Sequence, residues 1–279
     1  MIYLLDTTAV VDLNFRQEKH AGAVRQEIPE GAKVGVSAYV LFELARGYLT
    51  KLRELLDLSF ECRFPDELRE RVEKKRMGSR RLSDTWTDVL NDDCRRVREL
   101  PVEDADKWRA QELPLFRMRL RTLILDGWDG CTYWRASAAS VPEPMTVWNA
   151  CGCRTDLPAP ERMGERLQHD LPTALCGTAG NCGLLAWMRE HGESFRAAQA
   201  LLAKSKAKAK AGERERRMAA IEHLLGAKGE EFEGTQCHSC GDAIIAREAC
   251  GEAVVTKDGD YKALCKATGT TMVKVPHVG

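Results

Sequence analysis

Residues 1–13, MIYLLDTTAVVDL, and residues 241–261, GDAIIAREACGEAVVTKDGDY, decide how this chain folds. In the first stretch the apolar run Ile2 to Leu5 stops at Asp6, as a short buried parallel strand does. In the second, Asp242 opens a helical run that Gly251 ends, because an acid suits the positive N-terminal end of a helix and glycine suits its left-handed stop. The β-rich run Ala253 to Thr256 follows, then Asp258. Tyr261 to Lys266 predicts a further short helix and Thr270 to Val275 a last strand. Downstream of the first stretch, Lys33 to Val36 reads as a strand. Ser37 then serves as N-cap of a helix running through Tyr39, Leu41, Glu43, Leu44 and Tyr48. Strand and helix alternate in both terminal segments, which predicts a parallel sheet covered by helices, an α/β fold.

Between about residues 60 and 235 the texture changes to long charged helical stretches and a patch containing proline and glycine from Val141 to Gly183. All six tryptophans, Trp86, Trp108, Trp128, Trp134, Trp148 and Trp187, lie there, and so many large apolar rings call for a core of their own. The expected organisation is a core split into residues 1–55 and 236–279, interrupted by a mostly helical insertion over 56–235 that packs as a side lobe. The run KSKAKAKAGERERR, Lys204 to Arg217, reads as an exposed basic helix.

The totals narrow the class. At 279 residues and 44% hydrophobic content the chain can bury a substantial core. Lysine plus arginine equals aspartate plus glutamate at 42 each, so any nucleic-acid contact must come from local patches. Asp6 and Asp12 interrupt the apolar start and no basic leader precedes it, which argues against a secretory signal, and no run reaches the length of a membrane span. Eleven cysteines, an odd number, fit reduced thiols or a metal site better than a disulfide framework. A cytoplasmic protein with no membrane partner is expected.

Single acidic residues mean little, since surface carboxylates and helix caps are common. Their placement says more. Asp6 and Asp258 each lie just past a predicted strand and Asp242 begins a helix, so the three converge at the carboxyl edge of one parallel sheet, where open α/β sheets bind ligands. Like charges gathered there need a cation, and an all-oxygen cluster selects Mg²⁺ or Mn²⁺. A phosphatase of the haloacid dehalogenase type would need a second Asp two residues after Asp6, where Thr8 stands. A dinucleotide-binding fold would need a glycine-rich turn that DTTAVVD lacks.

LLDTTAVVDL, VSAYVLFELARG, GDAIIAREA and VVTKDGDYKAL resemble, in order, the four acidic motifs of PIN-domain nucleases. The likeness covers roughly residues 1–50 and 236–275; the spacing departs from it, since compact members have a much shorter segment between the second and third motifs. The resemblance implies a PIN-like parallel sheet flanked by helices. It also implies that Asp6, Glu43, Asp242 and Asp258 are the catalytic, metal-binding carboxylates, with Asp260 joining or replacing Asp258 and with Thr8 and Thr256 as polar helpers. The implied activity is Mg²⁺- or Mn²⁺-dependent hydrolysis of phosphodiesters, RNA more than DNA, in a toxin-like or defence-related setting. A second protein would then restrain or regulate it, or the insertion would do so in cis. The competing expectation is an inactive PIN-like scaffold or nucleic-acid-binding module.

Weaker signals remain. Cys237 and Cys240 form a CxxC, half of a structural Zn²⁺ site, and Cys151, Cys153, His169, Cys176 and Cys182 are candidate partners; buried thiols are the simpler expectation. His238 reads as an incidental loop residue. The Lys204 to Arg217 run, with seven cations and two acids, would offer phosphates a binding face if helical. The arginines Arg117, Arg119 and Arg121 alternate with apolar residues that must be buried, which makes them a poorer one.

Overall fold

The structure is a computed structural model and describes residues 1–78, 105–153, 160–164, 166–168, 183–205, 212–226 and 234–278. Trp86, His169, Cys176, Cys182 and the lysines at 206, 208 and 210 lie outside them, as does the side chain of Trp108.

In chain order the elements are β1 (Ile2–Leu5), α1 (Thr7–Asn14), α2 (Glu18–Gln26), β2 (Lys33–Ser37), α3 (Ala38–Leu44), a π-helical turn (Ala45–Leu49), α4 (Thr50–Phe60), α5 (Pro65–Gly78) and α6 (Ala105–Gly130). Short strands follow: β3 (Tyr133–Trp134), β4 (Glu143–Pro144), β5 (Thr146–Trp148), β6 (Glu161–Met163) and β7 (Arg166–Gln168). The chain ends with α7 (Gly183–Glu190), α8 (Gly192–Lys204), α9 (Glu213–Gly226), α10 (Gly234–Ser239), α11 (Gly241–Glu248), β8 (Ala253–Thr256), α12 (Tyr261–Thr268) and β9 (Thr271–Lys274).

Among the described residues the main sheet has five strands in the order β5-β2-β1-β8-β9, all pairs parallel. Leu5 pairs with Val36 on one side and Val255 on the other, so β1, β2 and β8 end side by side. Leu4, Leu5, Val36, Val254 and Val255 are fully buried, as the uninterrupted apolar runs require of strands covered on both faces. Ser37 Oγ accepts from the Tyr39 backbone N–H at 2.9 Å and so caps α3 as expected. Gly251 stands at φ +81°, the left-handed conformation its position after α11 demands. No helix among the described residues is long and apolar enough to cross a membrane.

The boundaries drawn at 55/56 and 235/236 do not coincide with the compact units. One unit comprises Met1–Leu44, Gly130–Leu157 and Pro172–Gly279; the other comprises Ala45–Asp129 and Pro158–Leu171. The segment 56–235 is therefore not one body. Its residues 146–148 supply the edge strand β5, and Gly35 makes room for it, since a Cβ there would stand 3.0 Å from the Thr146 carbonyl oxygen. Glu248 on α11 joins these parts: its carboxylate accepts from Ser37 Oγ and, at 2.9 Å, from the Cys151 N–H just past β5. The second unit does have its own apolar interior, with Leu52, Leu55 and Leu56 of α4 and Leu120 and Ile124 of α6 buried. There Arg117 turns back to the Ser59 and Cys62 carbonyls at the end of α4, which occupies it structurally.

An ion pair in the first unit is internal. Lys257, just past β8, reaches Asp12 of α1, which is completely buried and also meets Arg16 at 3.4 Å. Removing one partner of a buried pair strands the other's charge. Lys257→Ala is expected to lower stability by about 3 kcal/mol. Urea unfolding of the two proteins at neutral pH checks this; an unchanged midpoint would show that Asp12 is solvated in solution.

Candidate active site

The site forms where β1, β2 and β8 end. Asp6 follows β1 and is only 3% exposed; it also N-caps α1, accepting the Ala9 N–H at 2.7 Å. Thr256, the last residue of β8, donates its hydroxyl to the other Asp6 oxygen at 2.6 Å. Of the two threonines singled out in the sequence, Thr256 therefore contacts a predicted acid. Thr8 does not: it is exposed, and Thr7 instead donates its hydroxyl to Glu43. Only once the start of α1 is placed is it decided which of two adjacent threonines faces inward.

Beyond Thr256 the backbone makes a tight acidic loop. The Asp258 N–H donates to Thr256 Oγ1 at 3.0 Å and the Asp260 N–H to Asp258 Oδ1 at 2.8 Å. Asp260 is 2% exposed, Asp258 half-buried. Asp242, in the first turn of α11, and Glu43, on α3, complete the group. Gly241 lets α11 approach α3 closely, since a Cβ there would stand 3.0 Å from the Tyr39 ring and 3.5 Å from Glu43 Oε1. All five predicted acids therefore share one neighbourhood.

Their electrostatics reflect the crowding. Burial, and then the charges of Asp242 and Glu43, push the Asp6 carboxyl up to about 7 against the hydrogen bonds from Thr256 and Ala9. Burial likewise lifts Asp242 to about 6; Arg217 pulls it down, while Asp258, Glu213 and Asp260 push it up. The Tyr261 hydroxyl is fully buried without a hydrogen-bond partner among the described residues, and burial with the charges of Asp242, Asp6 and Glu43 holds its pKa well above the usual phenol value. A buried hydroxyl without a protein partner among the described residues thus stands beside the acids.

The residue that sequence reasoning missed is Arg217 on α9. It is 4% exposed; its guanidinium pairs with Asp242 and, at 3.0 Å, with Asp260, while Arg214 meets Asp260 at 2.6 Å. The run Lys204 to Arg217 is thus not a uniformly solvated basic face: α8 ends at Lys204, and Arg217 turns inward. A signal was present. Arg217, Ala220, Ile221 and Leu224 form one buried stripe at helical spacing, so the arginine occupies the inward register of an apolar face.

The donor set suits a hard divalent cation in kind, being all oxygen. It does not hold one as arranged: among the described residues no three Asp, Glu, His or Cys side chains gather as metal ligands. Arg217 supplies the countercharge to Asp242 and Asp260 instead. His238 lies on α10, half-exposed, with Nδ1 3.5 Å from Glu43 Oε1. Cys237 and Cys240 are buried beside it, and the Cys237 carbonyl accepts the Tyr39 hydroxyl at 2.8 Å. Burial first, and then the neighbouring Cys237, keep the Cys240 thiol far from ionisation.

No family model matches the chain, and no curated protein or solved structure matches it either.

Proposed function

We propose that this chain is a PIN-like, Mg²⁺- or Mn²⁺-dependent phosphodiester hydrolase, a ribonuclease in preference to a deoxyribonuclease, acting in the cytoplasm. The observation that carries the reading is the gathering of Asp6, Glu43, Asp242, Asp258 and Asp260 from separate segments at the carboxyl edge of one parallel sheet, with the orphan Tyr261 hydroxyl among them. Such repulsion is tolerated in a protein where a cation relieves it.

When bound, a divalent ion at such carboxylates supplies an acidified water and neutralises charge on the leaving oxygen. The chain's own residues have separable tasks. Thr256 and the Ala9 N–H hold the Asp6 carboxylate in one orientation, and Thr7 does the same for Glu43. The Asp258 and Asp260 loop is pinned by its own backbone N–H groups. In this reading the Tyr261 hydroxyl, a donor that burial keeps protonated, would bond a phosphoryl oxygen.

One observation favours a second reading, an inactive PIN-like scaffold or nucleic-acid-binding module: Arg217 balances Asp242 and Asp260 without a metal. The assay uses purified full-length chain with Mn²⁺, Mg²⁺ or EDTA on a panel of single-stranded and structured RNA and DNA. Metal-dependent cleavage that Asp6→Asn reduces by about 10³-fold or more is expected. Equal cleavage by both proteins, or cleavage surviving EDTA, would assign the activity elsewhere. Absence of cleavage by both the wild type and an Arg217→Met variant would put the scaffold in front.

A further inference from the structure

We propose that α9 is a built-in guard of the acidic pocket, its Arg217 and Arg214 competing directly with a divalent cation for Asp242 and Asp260. The inference rests on the metal-dependent reading above and adds how the site is regulated. The two arginines lie one helical turn apart and converge on one carboxylate, Asp260, each oxygen of which takes one guanidinium. Arg217 spans from there to Asp242, while its buried Nε lacks a hydrogen-bond partner among the described residues. The guard is therefore firmly seated but imperfectly satisfied. Burying a guanidinium costs about what its pairing regains, so an occupant with higher charge density can displace it.

The attachments of α9 fit a separable part. Apart from these arginines it is held within its unit by the apolar stripe Ala220, Ile221 and Leu224, by Gln199 of α8 donating to the Met218 carbonyl at 3.0 Å, and by Arg214 donating to the Ser205 carbonyl at 2.8 Å. α9 packs in this way on α7, α8 and α10, and the two hydrogen bonds do not involve the acids. Displacing Arg217 leaves those contacts in place and frees Asp242 and Asp260.

Two readouts that involve no cleavage test this on the full chain. In the first, Mn²⁺ binding is measured by calorimetry on wild type and Arg217→Met, a neutral side chain of comparable length. The variant is expected to bind Mn²⁺ about tenfold more tightly. In the second, hydrogen exchange of residues 213–226 is followed in the wild type with and without saturating Mn²⁺, so the outcome does not depend on the variant folding. Exchange there is expected to quicken by a similar factor while β1 and β8 stay protected. Equal Mn²⁺ affinity in the two proteins, or α9 protection that Mn²⁺ leaves unchanged, would overturn the guard. A chain that binds Mn²⁺ more tightly without Arg217 yet cleaves nothing would keep the guard and sink the nuclease reading. Cleavage with an Mn²⁺ affinity indifferent to Arg217 would do the reverse.

Discussion

Asp6→Asn is expected to stabilise the metal-free protein by about 2 kcal/mol near pH 8, although it removes an acid central to the proposed activity. Burial, helped by Asp242 and Glu43, raises the Asp6 carboxyl from 3.8 to about 7. Between those values the folded chain keeps a proton that the unfolded chain has released, so stability falls as pH rises through this window and the full penalty applies above it. A rise of that size corresponds to roughly 4 kcal/mol, and the amide forfeits part of it because the Thr256 and Ala9 hydrogen bonds are weaker to a neutral acceptor. Urea unfolding of wild type and variant from about pH 4 to pH 8 measures the difference. The gain should shrink toward zero at the acid end. A variant no more stable at pH 8, or one whose advantage grows on acidification, would mean that Asp6 is solvated.

Arg217→Met is expected to act in the opposite direction, lowering the stability of the metal-free protein by about 3 kcal/mol near pH 8. Both variants remove one charge from the same pocket. The signs differ because Asp6 adds to the repulsion and Arg217 relieves it at Asp242 and Asp260. Burial lowers the Arg217 pKa and the charges of Asp242, Asp258 and Asp260 more than restore it, so the guanidinium keeps its charge throughout the accessible range. The pH dependence of the loss therefore comes from the acids. Asp242, already raised to about 6 by burial, should protonate more readily without its partner, so the deficit should narrow on acidification. Mn²⁺ should also restore part of it, as a ligand that binds the folded state does. Thermal melts with and without Mn²⁺ at two pH values decide this, and a variant as stable as wild type would show that the Arg217 ion pairs do not form in solution.

Local sequence was enough to set the strands β1, β2, β8 and β9, the Ser37 cap of α3 and the glycine that follows α11, whereas α3 ends at Leu44 in a π-helical turn and does not run on through Tyr48. Each is written within a few residues: an apolar run ends at an acid, Ser37 precedes a helix, and Gly251 follows one. Parallel strands then bring their carboxyl ends to a common edge without further information. Other features depend on partners remote in the chain and emerge only on packing. β5 is a run of three β-favouring residues, too short to stand out, and it joins the sheet where Gly35 leaves room beside β2. Thr7, not Thr8, meets Glu43 because the seat of α1 on Asp6 sets which side chain turns inward. Arg217 looks like one cation in a solvated run until α9 packs, and then its charge is buried against acids 25 and 43 residues away. A local pattern records propensity and period, whereas the sign of a charge's contribution depends on which groups surround it once water has been excluded.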